Sequence, residues 1–259
     1  MTLERAKDTD FEELKTLWSI VFNEEAAFLE KFFALRFFPD SIFVAREQGK
    51  IVSALHALPS FYHQNKVVHR CAFIVGAATY ADYRKKGIMS HLLSYCKQNL
   101  DCPITLFPAV RPFYEKNGYI TTGELLRYNL EAVTEYEPGT EVSLSQDELD
   151  TIYMQATIAS GSLLRDNIAW QFLLDGYQLL AVQDAYALIK DNAVVEAMAI
   201  DTSSAVALLG LMKQKKLDTC AVLHDSPFCP LIPGIKGTVI PMGMSTAPFM
   251  QGCYIAEQY

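Results

Sequence analysis

Between Cys71 and Leu100 the chain reads CAFIVGAATYADYRKKGIMSHLLSYCKQNL. Phe73, Ile74 and Val75 are bulky and apolar and suit a strand, which ends in Gly76 and three small residues, Ala77, Ala78 and Thr79. A turn, Tyr80-Ala81-Asp82-Tyr83, leads through Arg84, Lys85, Lys86 and Gly87 into a stretch whose apolar residues Met89, Leu92, Leu93, Cys96 and Leu100 recur at three and four. That spacing is helical. A strand that feeds a helix through a basic turn containing glycine is an anion site. The first amides of a helix have no partner within it, and the helix dipole adds positive potential where they emerge. Gly87 lets a ligand reach the backbone with no Cβ in the way.

The rest of the chain alternates strands and helices around this stretch. Leu3 to Ala6 reads as a first strand. Thr9-Asp10-Phe11-Glu12 has the pattern of a capping box, and Phe11, Leu14, Leu17, Trp18, Val21 and Phe22 then mark one helical face. Asn23 is placed to cap a second helix with Phe28, Leu29, Phe32, Phe33 and Leu35, ending near Pro39-Asp40. Strands are expected at 42–46, 51–58 and 67–79, the first two joined through Gln48-Gly49-Lys50, and a further short strand at 103–107. Residues 135–149 contain Pro138-Gly139 and many acidic or hydroxyl side chains and read as a linker. Beyond it, helices or strands are expected at 146–160, 167–174, 179–182, 185–190, 193–200, 206–215 and 219–223.

With 259 residues, 51% of them hydrophobic, the chain can fill one large core or two modest ones. No apolar run is long enough to span a bilayer, and the charged start, Met1-Thr2-Leu3-Glu4-Arg5, lacks a signal-peptide pattern. The six cysteines form no Cys-x-x-Cys pair and no metal-like spacing with histidine, so the expectation is a reduced, cytoplasmic protein without a metal. The net charge of −8 is uneven: 16 basic against 14 acidic side chains up to residue 130, and 6 against 16 after it. The acidic second half argues against nucleic-acid binding.

Arg84-x-x-Gly87-x-Met89 resembles the pyrophosphate signature of the Gcn5-related N-acetyltransferase (GNAT) superfamily, Gln/Arg-x-x-Gly-x-Gly/Ala, departing from it at Met89. The whole string from Gly76 to Met89 is similar to that of the Eis-like ("enhanced intracellular survival") branch, which accepts methionine there. Ala81 stands where that branch usually has proline. About 25 residues on, Pro112-Phe113-Tyr114-Glu115-Lys116-Asn117-Gly118-Tyr119 resembles the superfamily's late Phe-Tyr-x-x-x-Gly-Phe/Tyr segment. Two motifs in the right order are far more specific than either alone. Arg165-Asp166-x-x-x-Trp170 resembles a segment of the second acetyltransferase-like domain of Eis-like proteins. The resemblance implies an α/β fold of tandem GNAT domains, each a splayed mixed sheet flanked by helices. Residues 1–133 would be the catalytic domain, and residues 134–259 a second GNAT-like domain without its own cofactor site. The sterol-carrier-like third domain of Eis-like proteins does not fit in this length. The role of base that their C-terminal carboxylate plays is therefore not carried over to Tyr259. Homo-oligomers are frequent in that branch.

The resemblance also implies acetyl-CoA as donor and assigns the site. The backbone amides of Lys85, Lys86, Gly87, Ile88 and Met89, with Arg84 opening the turn, would grip the pyrophosphate. The Lys85 and Lys86 side chains either pair with phosphates or face water. The strand edge at Ala77, Ala78 and Thr79 would pair with the pantetheine amides and polarise the thioester carbonyl. Tyr114 occupies the position of the tyrosine that lies near the CoA sulfur in many relatives, and a phenol is about matched in pKa to a thiolate leaving group. The base is open. Glu24 and Glu25, at the start of the second helix, are candidates for holding a cationic acceptor or acting through water, though such glutamates also serve as dipole partners. His56, in a strand next to the splayed one, is a further candidate base, although a lone strand histidine is more often simply packed. Trp18, Phe22 and Phe28 are candidates for an acceptor pocket, with Phe32 and Phe33 behind them. The expected activity is acetyl-CoA-dependent N-acetylation of a small primary amine such as an amino sugar or polyamine. A CoA-binding regulatory module without turnover and an aminoacyl-tRNA-dependent transferase are the alternatives.

Overall fold

The computed structural model describes residues 1–232, 234 and 236–256. Strand β1 (Thr2–Arg5) is followed by α1 (Phe11–Phe22) and α2 (Ala26–Arg36), then by β2 (Ile42–Glu47), β3 (Lys50–Gln64) and β4 (Val67–Thr79). Next come α3 (Ile88–Asn99), β5 (Ile104–Leu106), α4 (Arg111–Lys116), β6 (Ile120–Thr121) and β7 (Glu124–Asn129). The second half holds α5 (Gln146–Ala156), β8 (Ser162–Leu163), α6 (Asn167–Gly176), β9 (Gln178–Val182), β10 (Ala185–Lys190) and β11 (Ala193–Ala199). It closes with α7 (Thr202–Gln214), β12 (Thr219–Leu223), β13 (Thr238–Pro241) and β14 (Met244–Ser245).

Two mixed sheets result. The first runs β1-β2-β3-β4-β5-β14-β6, with β8 also paired to β3, and the second runs β13-β7-β12-β11-β10-β9. In each, an antiparallel pair (β3–β4, β10–β11) is followed by a helix and by a strand parallel to the second member (β5 beside β4, β12 beside β11). Two strands cross between the halves of the sequence. Strand β7 pairs with β12 and β13 in the second sheet, and β14 lies between β5 and β6 in the first.

Local chemistry explains where elements start and stop, including where the sequence pattern misleads. The Thr9…Glu12 capping box does not form. Helix α1 starts one residue later, because the Asp10 carboxylate accepts from the Lys7 N–H and from Arg46. Asn23 does not cap α2 but ends α1 in the left-handed region at φ +55°, a conformation asparagine tolerates, and its N–H bonds to the Ser19 carbonyl. Strand β3 runs past Pro59 to Gln64, longer than its pattern predicts. Its neighbour β2 ends its pairing at His56, so Pro59 sits on a free edge where a missing N–H costs nothing. Asn65 and Lys66, both at positive φ, then make the tight turn into β4.

Helices α1 and α2 cover one face of the first sheet through Leu14, Leu17, Trp18, Leu29, Phe32 and Phe33, while Leu92, Leu93 and Cys96 of α3 pack on the other. Helix α6 braces α2 from the second half. Arg36 donates two hydrogen bonds to Asp166, at 2.7 and 2.6 Å, while Asp166 caps α6 by accepting from the Ala169 N–H. The Phe172 ring lies 5.7 Å from Phe28 and 6.1 Å from Phe32, and Lys31 pairs with Asp175. Among the described residues no helix is long and apolar enough to cross a membrane.

The neighbouring residue, Arg165, points into the second half. It donates to both oxygens of buried Glu196, at 2.8 and 2.6 Å, and lies over the Tyr153 and Trp170 rings. Glu196 also accepts from the Tyr186 and Tyr254 hydroxyls. Burial works to raise the Glu196 carboxyl, but the guanidinium and the two phenols outweigh it and hold the group below its ordinary value. Removing the carboxylate strands a buried cation and two buried hydroxyls. Glu196→Ala is therefore expected to cost about 3–5 kcal/mol of unfolding free energy by denaturant titration.

Candidate active site

Strand β4 makes the site. It pairs with β5 only at Ala72, Phe73 and Ile74, while its pairing with β3 continues to Thr79. Where β5 departs, the β3 register shifts. Ala54 faces Ala78 and His56 faces Val75, so Gly76 and Ala77 together oppose the single residue Leu55. This is a β-bulge with glycine in its left-handed position, Gly76 having φ +59°. The bulge bends the strand, and the gap between β4 and β5 opens into a cleft of about 480 Å³.

One wall of the cleft is β4 from Phe73 to Ala77, and the other is Leu106 to Ala109 at the end of β5. Trp18, Phe22 and Glu24 close the side under α1, and Tyr114 of α4 completes the lining. Trp18 lies against the bulge so closely that a Cβ on Gly76 would fall 1.8 Å from its Cζ2. The indole stacks on Phe32 at 4.4 Å and meets Phe22 edge-on at 5.3 Å.

Beyond the strand lies the basic turn. Gly87 (φ +77°) precedes α3 with no side chain capping the helix, and Lys85 also adopts a left-handed conformation. Among the described residues, no hydrogen bond occupies the N–H groups of Lys85, Lys86, Gly87, Ile88, Met89 and Ser90; the first helical bond runs from the His91 N–H to the Gly87 carbonyl. Arg84 to Gly87 are exposed. The Arg84 Nε donates to the Thr79 carbonyl at 2.9 Å, tying the turn to the strand end, and Lys86 lies over the Tyr83 ring.

The structure sorts the candidates. Ala77 lines the cleft; Thr79 lies farther along the strand, its hydroxyl 2.8 Å from Ser53, and Ala78 turns its methyl into the core. Tyr114 is mostly buried, and burial pushes its phenol up to about 12, so it is protonated at neutral pH and available as a donor. Trp18, Phe22 and Glu24 face the cleft, but Glu25 and Phe28 do not. Glu25 is the exposed N-cap residue of α2, and Phe28 points toward Phe32 and Phe172 under α6. His56 is no base for the cleft. It is fully buried, ringed by Trp18, Phe32 and Phe33 at 5.0 to 5.7 Å, and burial pushes it down to about 3. Neither of its ring nitrogens nor the Trp18 Nε1 has a hydrogen-bond partner among the described residues. The C-terminal carboxylate of Tyr259 lies outside the described residues. Phe107 and Pro108 line the cleft without having been singled out in the sequence; a short strand ending in Phe-Pro carries no mark of a binding wall.

A mixed sheet whose parallel strands β4 and β5 part at a β-bulge, beside a helix that starts without a cap, fits the GNAT fold. Residues 2–122 match the family described as Acetyltransferase (GNAT) domain. No curated protein matches the sequence. Among solved structures, the chain is similar to a conserved protein of unknown function from Enterococcus faecalis V583, with a TM-score of 0.74, 19% identity, and 94% of this chain and 72% of that one covered. It is also similar to a GCN5-related N-acetyltransferase from Anabaena variabilis (TM-score 0.72, 17% identity, 94% and 71% covered) and to Eis1 from Mycobacterium abscessus (0.72, 14%, 95% and 73%). At these identities the likeness is one of fold.

Two outcomes are expected. Gly76→Ala forces Trp18 off the bulge and a side chain into a left-handed site, so it should cost about 2 kcal/mol or more and shift the tryptophan fluorescence of the native protein. For His56, the folded pKa lies below the unfolded one of 6.5. The unfolded chain therefore takes up a proton first, and stability falls as pH drops from about 6.5 toward about 3, by up to about 1.4 kcal/mol per unit. Denaturant titrations at pH 7 and 5 should show this slope, and His56→Phe should reduce it.

Proposed function

We propose that the chain is an N-acyltransferase that uses an acyl-CoA, acetyl-CoA in the first instance, to acylate a primary amine. The observation that carries this reading is the run of N–H groups from Lys85 to Ser90 without a hydrogen-bond partner among the described residues, opening on the exposed turn Lys85 to Gly87 and lying beyond the parted strands. Oriented amides at a helix start favour a diphosphate. The residues present fit the rest of the cofactor. The β4 edge carries no strand past Ile74 and can add an extended arm as a strand adds to a sheet. Gly76 and Ala77 bring the backbone to the cleft with little side chain in front of it.

Bound there, the thioester supplies the activated acyl group. The protein's own groups then have distinct tasks. In this reading a backbone amide at the Gly76–Ala77 bulge polarises the acyl carbonyl. Tyr114 Oη holds a proton that can pass to a leaving sulfur. The Glu24 carboxylate faces the cleft from the α1–α2 junction and can hold an ammonium at its mouth. Amino sugars and polyamines belong in the first acceptor panel.

The second unit is proposed to have lost, or never had, a cofactor site. Its counterpart of α3 is α7, and there the Asp201 carboxylate accepts from the Ser204 N–H at 2.8 Å. A carboxylate of the chain itself sits where a phosphate would have to bind. The division into units near residue 133 is part of the same proposal.

Gly87→Asp would place a carboxylate among the free amides of α3, at a left-handed position that aspartate tolerates. It should weaken acetyl-CoA binding at least about tenfold by calorimetry while leaving the unfolding transition nearly in place. Tyr114→Phe should leave that affinity unchanged and lower kcat, followed by thiol release, about 100-fold. Binding without thiol release across the amine panel would instead identify a CoA-sensing module.

A further inference from the structure

We infer that the acceptor is a monoamine with an aromatic or branched apolar body, rather than an amino sugar or a polyamine. This rests on the acyltransferase reading and concerns the end of the same cleft under α1, where Trp18, Phe22 and Glu24 stand, the β4 edge being left to the cofactor's arm. Among the described residues, the only side chains lining the cleft that carry a nitrogen or oxygen are Glu24, Tyr114 and the Trp18 indole. The indole nitrogen is buried, so it offers an incoming molecule no donor. Among the described residues, no serine, threonine, asparagine, glutamine, histidine, lysine or arginine side chain lines the cleft.

Each acceptor class makes a different demand on such a lining. An amino sugar brings several hydroxyl groups that would lose water here without gaining partners. A polyamine brings several separated charges and finds one carboxylate. A monoamine finds what it needs. Its ammonium has Glu24 and the faces of nearby rings, and its body has Trp18, Phe22 and Phe107 to cover it. The position of the rings sharpens the point. Trp18 lies on the Gly76 bulge itself, so the carbon next to the reacting nitrogen is held against an aromatic wall.

The chemistry balances with the acyl-CoA as the only co-reactant. The ammonium first gives one proton to solvent or to Glu24. The neutral nitrogen then forms a bond to the acyl carbon as the carbon–sulfur bond breaks. It loses one further proton, and the departing sulfur gains one. The products are the amide and free CoA.

The test uses the full chain, acetyl-CoA and release of free thiol. Acetyl-CoA binding is first measured by calorimetry. Phenethylamine, tryptamine, isoamylamine, glucosamine and spermidine are then compared at equal concentration. The expected result is a kcat/KM for the best aryl or branched amine at least tenfold above that for glucosamine and for spermidine. Phe22→Ser and Glu24→Gln should each lower that value at least fivefold, while the acetyl-CoA Kd stays within twofold. Phe22 and Glu24 are both exposed, so neither variant is expected to unfold the protein. Faster turnover of glucosamine or spermidine, or an unchanged amine preference in both variants, overturns the inference and leaves the acyltransferase reading standing. Binding of acetyl-CoA with no turnover of any amine overturns the inference too, and a failure to bind acetyl-CoA removes the reading beneath it.

Discussion

Past Ile74, β4 keeps its hydrogen bonds to β3 and loses those to β5. The strand stays in place because it is paired with β3 on both sides of the bulge, while its other edge has no partner strand past Ile74 among the described residues. The bulge at Gly76 and Ala77 is the device that separates these fates. An extra residue on one strand of a pair bends it and increases its twist. Only a residue without a Cβ takes the left-handed position at φ +59° with an indole pressed against it. The cleft and its β4 wall both follow from this one local irregularity.

The second half of the chain supports that arrangement from behind. Strand β14 fills the gap between β5 and β6, so the short β5, with three residues, is paired on both edges and can hold its end of the cleft. Helix α6 holds α2 through Arg36 and Asp166 and through the Phe172 ring. Because α2 begins just after Glu24, this brace also sets where the one cleft-facing carboxylate sits. Arg165 and Asp166, adjacent in sequence, point in opposite directions. Arg165 binds Glu196 within the second half of the chain, and Asp166 reaches across to Arg36 in the first half. That two-way role gives the Arg-Asp-x-x-x-Trp segment a structural meaning.

The two helix starts that follow an antiparallel pair, α3 after β4 and α7 after β11, differ in their polar groups. In α3 the amides are left open, preceded by a glycine at φ +77°. In α7 they are met by Asp201 in a capping box with Ser204. A closed cap satisfies the first amides of its own helix, while an open one leaves them without a partner in the chain.

The sequence determined the elements by itself wherever local interactions decide. The periodicity of Met89, Leu92, Leu93 and Cys96 gave α3, and β10 and β12 fall on the residues their patterns mark, because alternation and capping act within a few residues of chain. The open amides of the basic turn were legible for the same reason. What lay beyond reach depends on partners far away in the chain. The length of β3 past Pro59 turns on where β2 stops, the failure of the Thr9…Glu12 box on Arg46, and the burial of His56 on three rings from α1 and α2. The placement of β7 and β14 in each other's half, and the choice of Phe107 over Phe28 as a cleft wall, were likewise settled by tertiary packing. An apolar residue will pack against whatever surface the fold brings to it, and its own neighbours in sequence do not say which.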